Sequence, residues 1–564
     1  MTDETTSSVS AHANDTGAND TGNVTAAEFK VIAASSIGTV FEWFDFFLYG
    51  SMAVVLSRHF FAGVSESTAF TLALLAFAAG FAVRPFGALV FGFLGDVWGR
   101  KNTFIITLLL MGVATFSIGL LPTYAQIGVA APWCLVALRM LQGLSVGGVY
   151  GGAAIYVAEH APQNRRGFYT SFIQTTATAG MALSLAVIFG TRYAIGEEAF
   201  NAWGWRIPFL SSILLLAVTM WIQLKLAESP IYLRMKASGK ASKSPWKESF
   251  GNWKNVRIIL IALFGALVGQ AVIWYASQFY TLFFLERILK VDGPVANLLM
   301  ISALVIATPL YILFGWLSDK VGRKNVMMTA CLLAVLTYFP LFNALTAAAN
   351  PVLAQAVATS PVVVYADDSE CSFQFDPVGR ATFSTSCDIA RSYLTNAGVT
   401  YNSESAPAGT VAELRVGDQV LPSFRGNDLS PADLRTQRAE WTKSAAAMIA
   451  AAGYPAKADT DKINFPLVML ILLGIMTLAA MVYGPMAAFL VELFPTRIRY
   501  TSLSLPYHIG TGWFGGFLPT FAFAIVAETG NIYSGLWYPV GFAAFSLVVG
   551  LIFLPQTHKV DIHA

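Results

Sequence analysis

The sequence predicts an all-α membrane protein: twelve transmembrane helices in two six-helix bundles, interrupted by an α+β insert outside the membrane. Three observations carry that prediction. Hydrophobic residues fill 55% of the 564 positions and charged ones only 12%, where a soluble globular chain carries about a quarter; mean hydropathy is +0.59. Apolar stretches of roughly 20 residues, the length a helix needs to cross hydrocarbon, recur along nearly the whole chain. A charged turn, Gly95-Asp96-Val97-Trp98-Gly99-Arg100-Lys101, returns as Ser318-Asp319-Lys320-Val321-Gly322-Arg323-Lys324.

Apolar length and helix breakers place six spans at about 29–57, 69–94, 102–122, 131–158, 167–190 and 207–226, which form the first bundle, 29–226. Six more fall at about 256–285, 295–316, 324–348, 463–491, 499–527 and 534–555. Residues 1–28 are a polar, repetitive tail (NDTGANDTGN) with nothing to bury, expected to be disordered, and lack the pattern of a signal peptide. The linker 227–255 carries six basic residues against Glu228 and Glu248. Arg100/Lys101, Arg165/Arg166, Arg323/Lys324 and Arg497/Arg499 lie in turns on the same side. Cations in short loops favour the cytoplasm, so the linker and both tails, the second being 556–564, are expected there.

The two halves repeat, and the second is interrupted. Asp96 to Glu159 spans 63 residues while Asp319 to Glu492 spans 173. The extra chain lies between spans 9 and 10: spans 7–9 occupy 256–348, spans 10–12 occupy 463–555, and residues 349–462 between them read as an external soluble domain. Val411–Leu421 reads as a hairpin turning at Gly417-Asp418. Ser430-Pro431 caps and opens a helix running to about Gly453. Cys371 and Cys387, sixteen apart in this insert, are expected to form a disulfide in an oxidising exterior. A small α+β lid over the external mouth is the expected role.

Two halves built alike, each with an acid–base turn at the same edge, suggest bundles that move against each other around a central path. The gate residues on that reading are Asp96, Arg100, Lys101 and Asp319, Arg323, Lys324. Glu159 with Arg166 joins them at the end of span 4, and Glu492 with Arg497 at the end of span 10. The chain here resembles the major facilitator superfamily, and within it the metabolite:proton symporters of proline/betaine, α-ketoglutarate, shikimate and citrate. The resemblance rests on Glu42–Gly50 (EWFDFFLYG), Arg84–Gly87 (RPFG), Arg139–Gly143 (RMLQG), Gly204–Phe209 (GWRIPF), Glu228-Ser229-Pro230 and Glu492–Arg497 (ELFPTR). It implies the major facilitator fold and proton-coupled transport. Val149 stands where that family has Glu after Gly147-Gly148, so no role for that acid carries over.

Ionisable groups at membrane depth mark candidate function. Glu42 and Asp45 lie three apart in span 1, on one helix face, and suit a site that binds and releases a proton. Arg84 lies about 18 Å along the helix from Asp96, near mid-membrane; it is expected to be structural. Arg139, with Gln142 three residues on, is expected to receive substrate, an assignment that leans on span 4 lining the cavity in the superfamily. In span 7, Gln270, Trp274 and Gln278 recur every four residues beside Tyr275 and form a candidate substrate stripe; helix packing is the plainer alternative. His508 in span 11 is a lone histidine, for which packing is again the plainer reading.

No nucleotide-binding loop and no zinc-like ligand spacing is present, so neither ATP nor a metal is expected and no cofactor is called for; a proton gradient supplies the energy. The net charge of +2 points to no nucleic-acid partner. The partners expected are a small organic acid or zwitterion, the proton and the plasma-membrane bilayer; the sequence assigns no oligomeric state. A carboxylate substrate leads because Arg139 and Arg84 offer positive charge, with a proline/betaine-type osmolyte as the alternative. A membrane sensor with the insert as ligand-binding domain is the alternative of another class, but linker 227–255 is too short to build an output core. An enzyme is disfavoured because no catalytic constellation stands at a membrane face.

Overall fold

The computed structural model describes residues 26–62, 66–225, 228–374 and 383–562; the expectation for the first tail falls almost wholly outside them. Twelve helices are long and apolar enough to span a bilayer. Spans 1–6 are Ser36–Phe60, Leu75–Val97, Arg100–Leu120, Ala130–His160, Gln163–Ile195 and Arg206–Leu224. Spans 7–12 are Trp253–Ile288, Gly293–Val321, Arg323–Ala349, Phe465–Leu493, Thr496–Thr529 and Ser534–Phe553.

The repeated turn is set by glycine. Gly99 and Gly322 adopt φ of 118° and 98°, a region that side chains with a Cβ avoid, and each reverses the chain between paired spans within two or three residues. Spans 2 and 4 pack backbone to backbone, as do spans 1 and 5 through Gly180 against Trp43. The halves meet along two matching lines, span 2 on span 11 and span 5 on span 8. Span 7 departs from regular α-helix, winding as π-helix over Leu263–Leu267, Ala276–Tyr280 and Phe284–Ile288. Span 11 does so over Ile509–Gly515. Single π turns recur at functional sites in helices.

Between spans 9 and 10 lies a four-stranded sheet of β1 (Val362–Ala366), β2 (Tyr401–Ser405), β3 (Glu413–Val416) and β4 (Gln419–Pro422), in the order β2-β1-β3-β4. β3 and β4 are the antiparallel hairpin, turning at Gly417 (φ 57°). β1 and β2 run parallel, joined through the helix Ser386–Ala397, as a parallel pair requires a crossover. Ser430 accepts from the N–H of Asp433 and caps the helix Pro431–Ala451. Cys371 and Cys387 are bonded. Among the described residues the insert's hydrogen bonds to the bundle end on the second half. Tyr401 N–H donates to Gly530 O at 3.0 Å, Lys290 Nζ to Pro455 O at 3.1 Å and Gln374 N–H to Glu528 at 3.3 Å. These bonds tie the insert to the second half.

Candidate functional site

Glu42 and Asp45 share a face of span 1 but serve different neighbours. Asp45 turns to spans 3 and 4: it accepts from Thr115 Oγ1 at 2.7 Å and Gln142 Nε2 at 2.5 Å, and pairs with Arg139 Nη1 at 3.5 Å. Arg139 also donates to Gln142 Oε1 at 2.6 Å and lies 4.1 Å over the ring of Tyr49. All four polar side chains are buried, so the network is closed on itself within the first half. Arg139 and Gln142, expected to receive substrate, are both engaged by Asp45 here.

Arg84, expected to be structural, lies beside Gly512 of span 11 in the other half. It forms no ion pair among the described residues and its Nε is buried without a partner. Its guanidinium lies 4.3 Å over Phe81, within electrostatic reach of Glu42 and Tyr275. Span 2 and span 1 supply Arg84 and Glu42 from the first half; span 7 supplies Tyr275 from the second. Trp274 meets Trp43 at 5.3 Å across the same seam. Gln270 is buried with its Oε1 unpartnered, as is Nε2 of Gln278. The π turn beginning at Ala276 shifts Gln278 around the helix relative to Gln270 and Trp274, so the four-residue stripe is not continuous.

A wall of aromatic rings that sequence reasoning missed completes the seam. Tyr150 of span 4 stacks on Tyr507 of span 11 at 3.8 Å and 2°; the Tyr507 and Tyr483 hydroxyls lie 2.7 Å apart, and Tyr483 is 6.1 Å from Trp274. Glu42 interacts electrostatically with Tyr150, Tyr483 and Tyr507.

The repeated charged turns close the face that carries the linker. Asp96 accepts from the N–H groups of Tyr500 (3.2 Å) and Thr501 (2.9 Å) at the start of span 11. Asp319 accepts from those of Gly167 (2.9 Å) and Phe168 (2.8 Å) at the start of span 5. Each aspartate thus caps a helix N-terminus of the other half, where a negative charge is favoured, and Gly95 leaves room for the ring of Tyr500. Arg100 holds Asp96 at 2.8 Å and Arg323 holds Asp319 at 2.6 Å. Glu159 pairs with Arg499 at 2.7 Å, and Glu492 with Arg323 at 3.0 Å and Arg166 at 3.8 Å. The segment after each bundle covers its glutamate, Ser229 on Glu159 and Thr557 on Glu492.

Three expected gate residues lie off this network. Arg497 is half exposed and pairs with linker residue Glu248 at 2.8 Å; the buried partner is Arg499, seven residues after Glu492 as Arg166 is seven after Glu159. That shared spacing was the signal that singles it out. Lys101 donates to Leu224 O at the end of span 6 and Lys324 to Leu551 O and Leu554 O at the end of span 12. Both cap helix C-termini inside their own half, where a cation is favoured.

The family model described as sugar (and other) transporter matches residues 30–244 and 442–563. An inner membrane metabolite transport protein of Escherichia coli K12 is 36% identical over 57% of this chain and 74% of its own. The shikimate transporter of the same organism is 36% identical over 58% and 75%, and the proline/betaine transporter of Salmonella typhimurium 33% over 56% and 64%. The solved major facilitator proton:xylose symporter XylE, bound to 6-bromo-6-deoxy-D-glucose, shares the fold with a TM-score of 0.59 at 16% identity, over 95% of this chain and 98% of that one. The chain belongs to the sugar (and other) transporter family of the major facilitator superfamily: it is a multi-pass plasma-membrane transporter of metabolites, not an enzyme.

Proposed function

We propose that the chain is a secondary active symporter that brings a small organic acid into the cell together with protons. It works by alternating access, with the linker and tails on the cytoplasmic side and no cofactor. The observation that carries this reading is Arg84: an arginine without an ion pair, beside Glu42, on the seam between the halves. A guanidinium held there with Glu42 near but no carboxylate at ion-pair distance suits a carboxylate brought by the substrate. Glu42 takes the role of proton carrier, because Asp45 is held by Arg139, Thr115 and Gln142. Replacing Asp45 would leave Arg139 buried and unpaired, which makes Asp45 a poor reporter of coupling alone.

A second reading is favoured by one observation, the aromatic wall of Trp43, Trp274, Tyr150, Tyr483 and Tyr507 around Glu42. Aromatic faces beside an acid suit a methylated ammonium, and with Arg84 on the carboxylate the substrate is then a betaine- or proline-type zwitterion. Uptake into proteoliposomes from a panel of labelled carboxylates and zwitterions, with and without an imposed pH gradient, tests both. Glu42→Gln is expected to abolish gradient-driven accumulation and spare exchange; accumulation that survives the substitution unchanged removes the proton assignment. Competition by dicarboxylates supports the acid, and competition by betaine alone supports the zwitterion.

A further inference from the structure

His508 lies inside span 11, 1% exposed; its ring faces the backbone of Gly147 in span 4, and neither nitrogen makes a well-aligned hydrogen bond among the described residues. Buried polar atoms are nearly always paired, and an unpaired one is costly in a membrane interior. His508 is not filling an apolar gap at random. It precedes the π-wound stretch Ile509–Gly515, and one turn on, a side chain added at Gly512 would stand 3.9–4.0 Å from Cβ and Cδ of Arg84. The imidazole is within electrostatic reach of that guanidinium, whose Nε is the other unpartnered nitrogen at this point of the seam. Arg84 comes from the first half of the molecule and His508 from the second.

We propose that His508 and Arg84 are the two jaws of one anion grip. The guanidinium takes the substrate carboxylate in its fork, and the imidazole donates a further hydrogen bond to the same group from the opposite half. This rests on the carboxylate reading of the site given above and adds a specificity-determining residue to it. The consequence is mechanical as well as chemical. A ligand bound by both jaws favours the state in which spans 2 and 11 are close, so occupancy and closure are coupled. A neutral analogue of the same shape makes neither charged contact.

The test uses the full chain in nanodiscs, with succinate, shikimate and glycine betaine as carboxylate probes and succinamide as the neutral control, read by equilibrium binding. His508→Leu is expected to weaken the best carboxylate probe by about 10- to 100-fold, the worth of one hydrogen bond to a charged group. His508→Gln, which puts an amide donor in nearly the same place, is expected to recover most of that loss, and succinamide binding is expected to be equally weak throughout. Carboxylate binding by His508→Leu at wild-type strength overturns the grip. So does a His508→Gln variant as deficient as His508→Leu at an unchanged melting temperature, since that pattern marks packing by the ring. A wild-type protein that binds none of the three carboxylates overturns the underlying reading of the site, and the inference with it.

Discussion

Glu159 at the end of span 4 meets Arg499 at the start of span 11 at 2.7 Å, and both side chains are buried in the seam between the halves. The equivalent acid of the second half, Glu492, is shared: it bonds Arg323 of its own half at 3.0 Å and reaches Arg166 across the seam only at 3.8 Å. The two ends of the repeat are therefore built alike but loaded differently.

Removing one member of a buried ion pair leaves the other unpaired, at about 3–5 kcal/mol. Glu159→Gln is accordingly expected to favour the state with the linker face open, where Arg499 can be solvated. Glu492→Gln is expected to act more weakly, since Arg323 keeps Asp319 at 2.6 Å. Both are checked with a cysteine replacing the buried Ser504, in a chain lacking Cys134 and Cys331, labelled by an impermeant maleimide from the linker side. Labelling should rise at least about tenfold for Glu159→Gln and less for Glu492→Gln. Equal rates in all three proteins would take the gate away from this pair.

Span 2 and span 4 touch through their backbones, and a Cβ on Gly143 would overlap the carbonyl of Gly80. Backbone cannot swing aside as a side chain can, so Gly143→Ala is expected to cost about 1–3 kcal/mol. Gly190 has nothing within 4 Å of an added Cβ, and Gly190→Ala is expected to be neutral or slightly stabilising. Thermal unfolding in detergent separates them: a lowered midpoint for the first alone. Equal midpoints would show that the two spans pack with slack.

What could be read in the sequence follows from which features are local. Apolar length gave the spans, and Gly417-Asp418 and Ser430-Pro431 gave the hairpin and the helix of the insert, because turn and cap chemistry act within a few residues. The parallel pairing of β1 with β2 was not legible, since nothing within either strand states its partner. That Arg139 rather than Arg84 pairs with Asp45 was hidden for the same reason: which arginine reaches Asp45 depends on how spans 1, 2 and 4 are rotated about their axes. Arg499 was legible and overlooked, because Arg497 matched the neighbouring motif while the spacing of seven pointed one turn past the proline.

The disulfide closes a loop of sixteen residues between Cys371 and Cys387, which by chain entropy stabilises a fold by about 3 kcal/mol. Its removal by Cys371→Ser with Cys387→Ser is expected to raise amide exchange in β1 and in the helix Ser386–Ala397 and to leave uptake by the membrane part in place. Of the insert's anchors, Tyr401 to Gly530 and Pro455 to Lys290 lie outside that loop, and only Gln374, which donates to Glu528, lies within it. Loss of transport together with the bond would make the insert part of the transport machinery.

The insert also carries a group whose charge state is tied to its fold. The carboxylate of Asp367 accepts from Gly409 N–H at 2.7 Å, from Ser369 N–H at 2.9 Å and from the Ser369 hydroxyl at 2.7 Å. These donors hold it below the usual carboxylate range, the Gly409 bond foremost. Since the folded form favours the ionised group, the stabilisation is complete above the ordinary aspartate value of about 4 and is lost as pH falls through the lower, folded value. Amide exchange in β2 to β4, corrected for its intrinsic pH dependence, should therefore quicken on acidification below about pH 4. Asp367→Asn should remove the part of that change due to this group and leave exchange faster at neutral pH, because a neutral amide is a weaker acceptor for three donors. An unchanged acid profile in Asp367→Asn would place the insert's acid sensitivity elsewhere and leave these bonds as turn geometry alone.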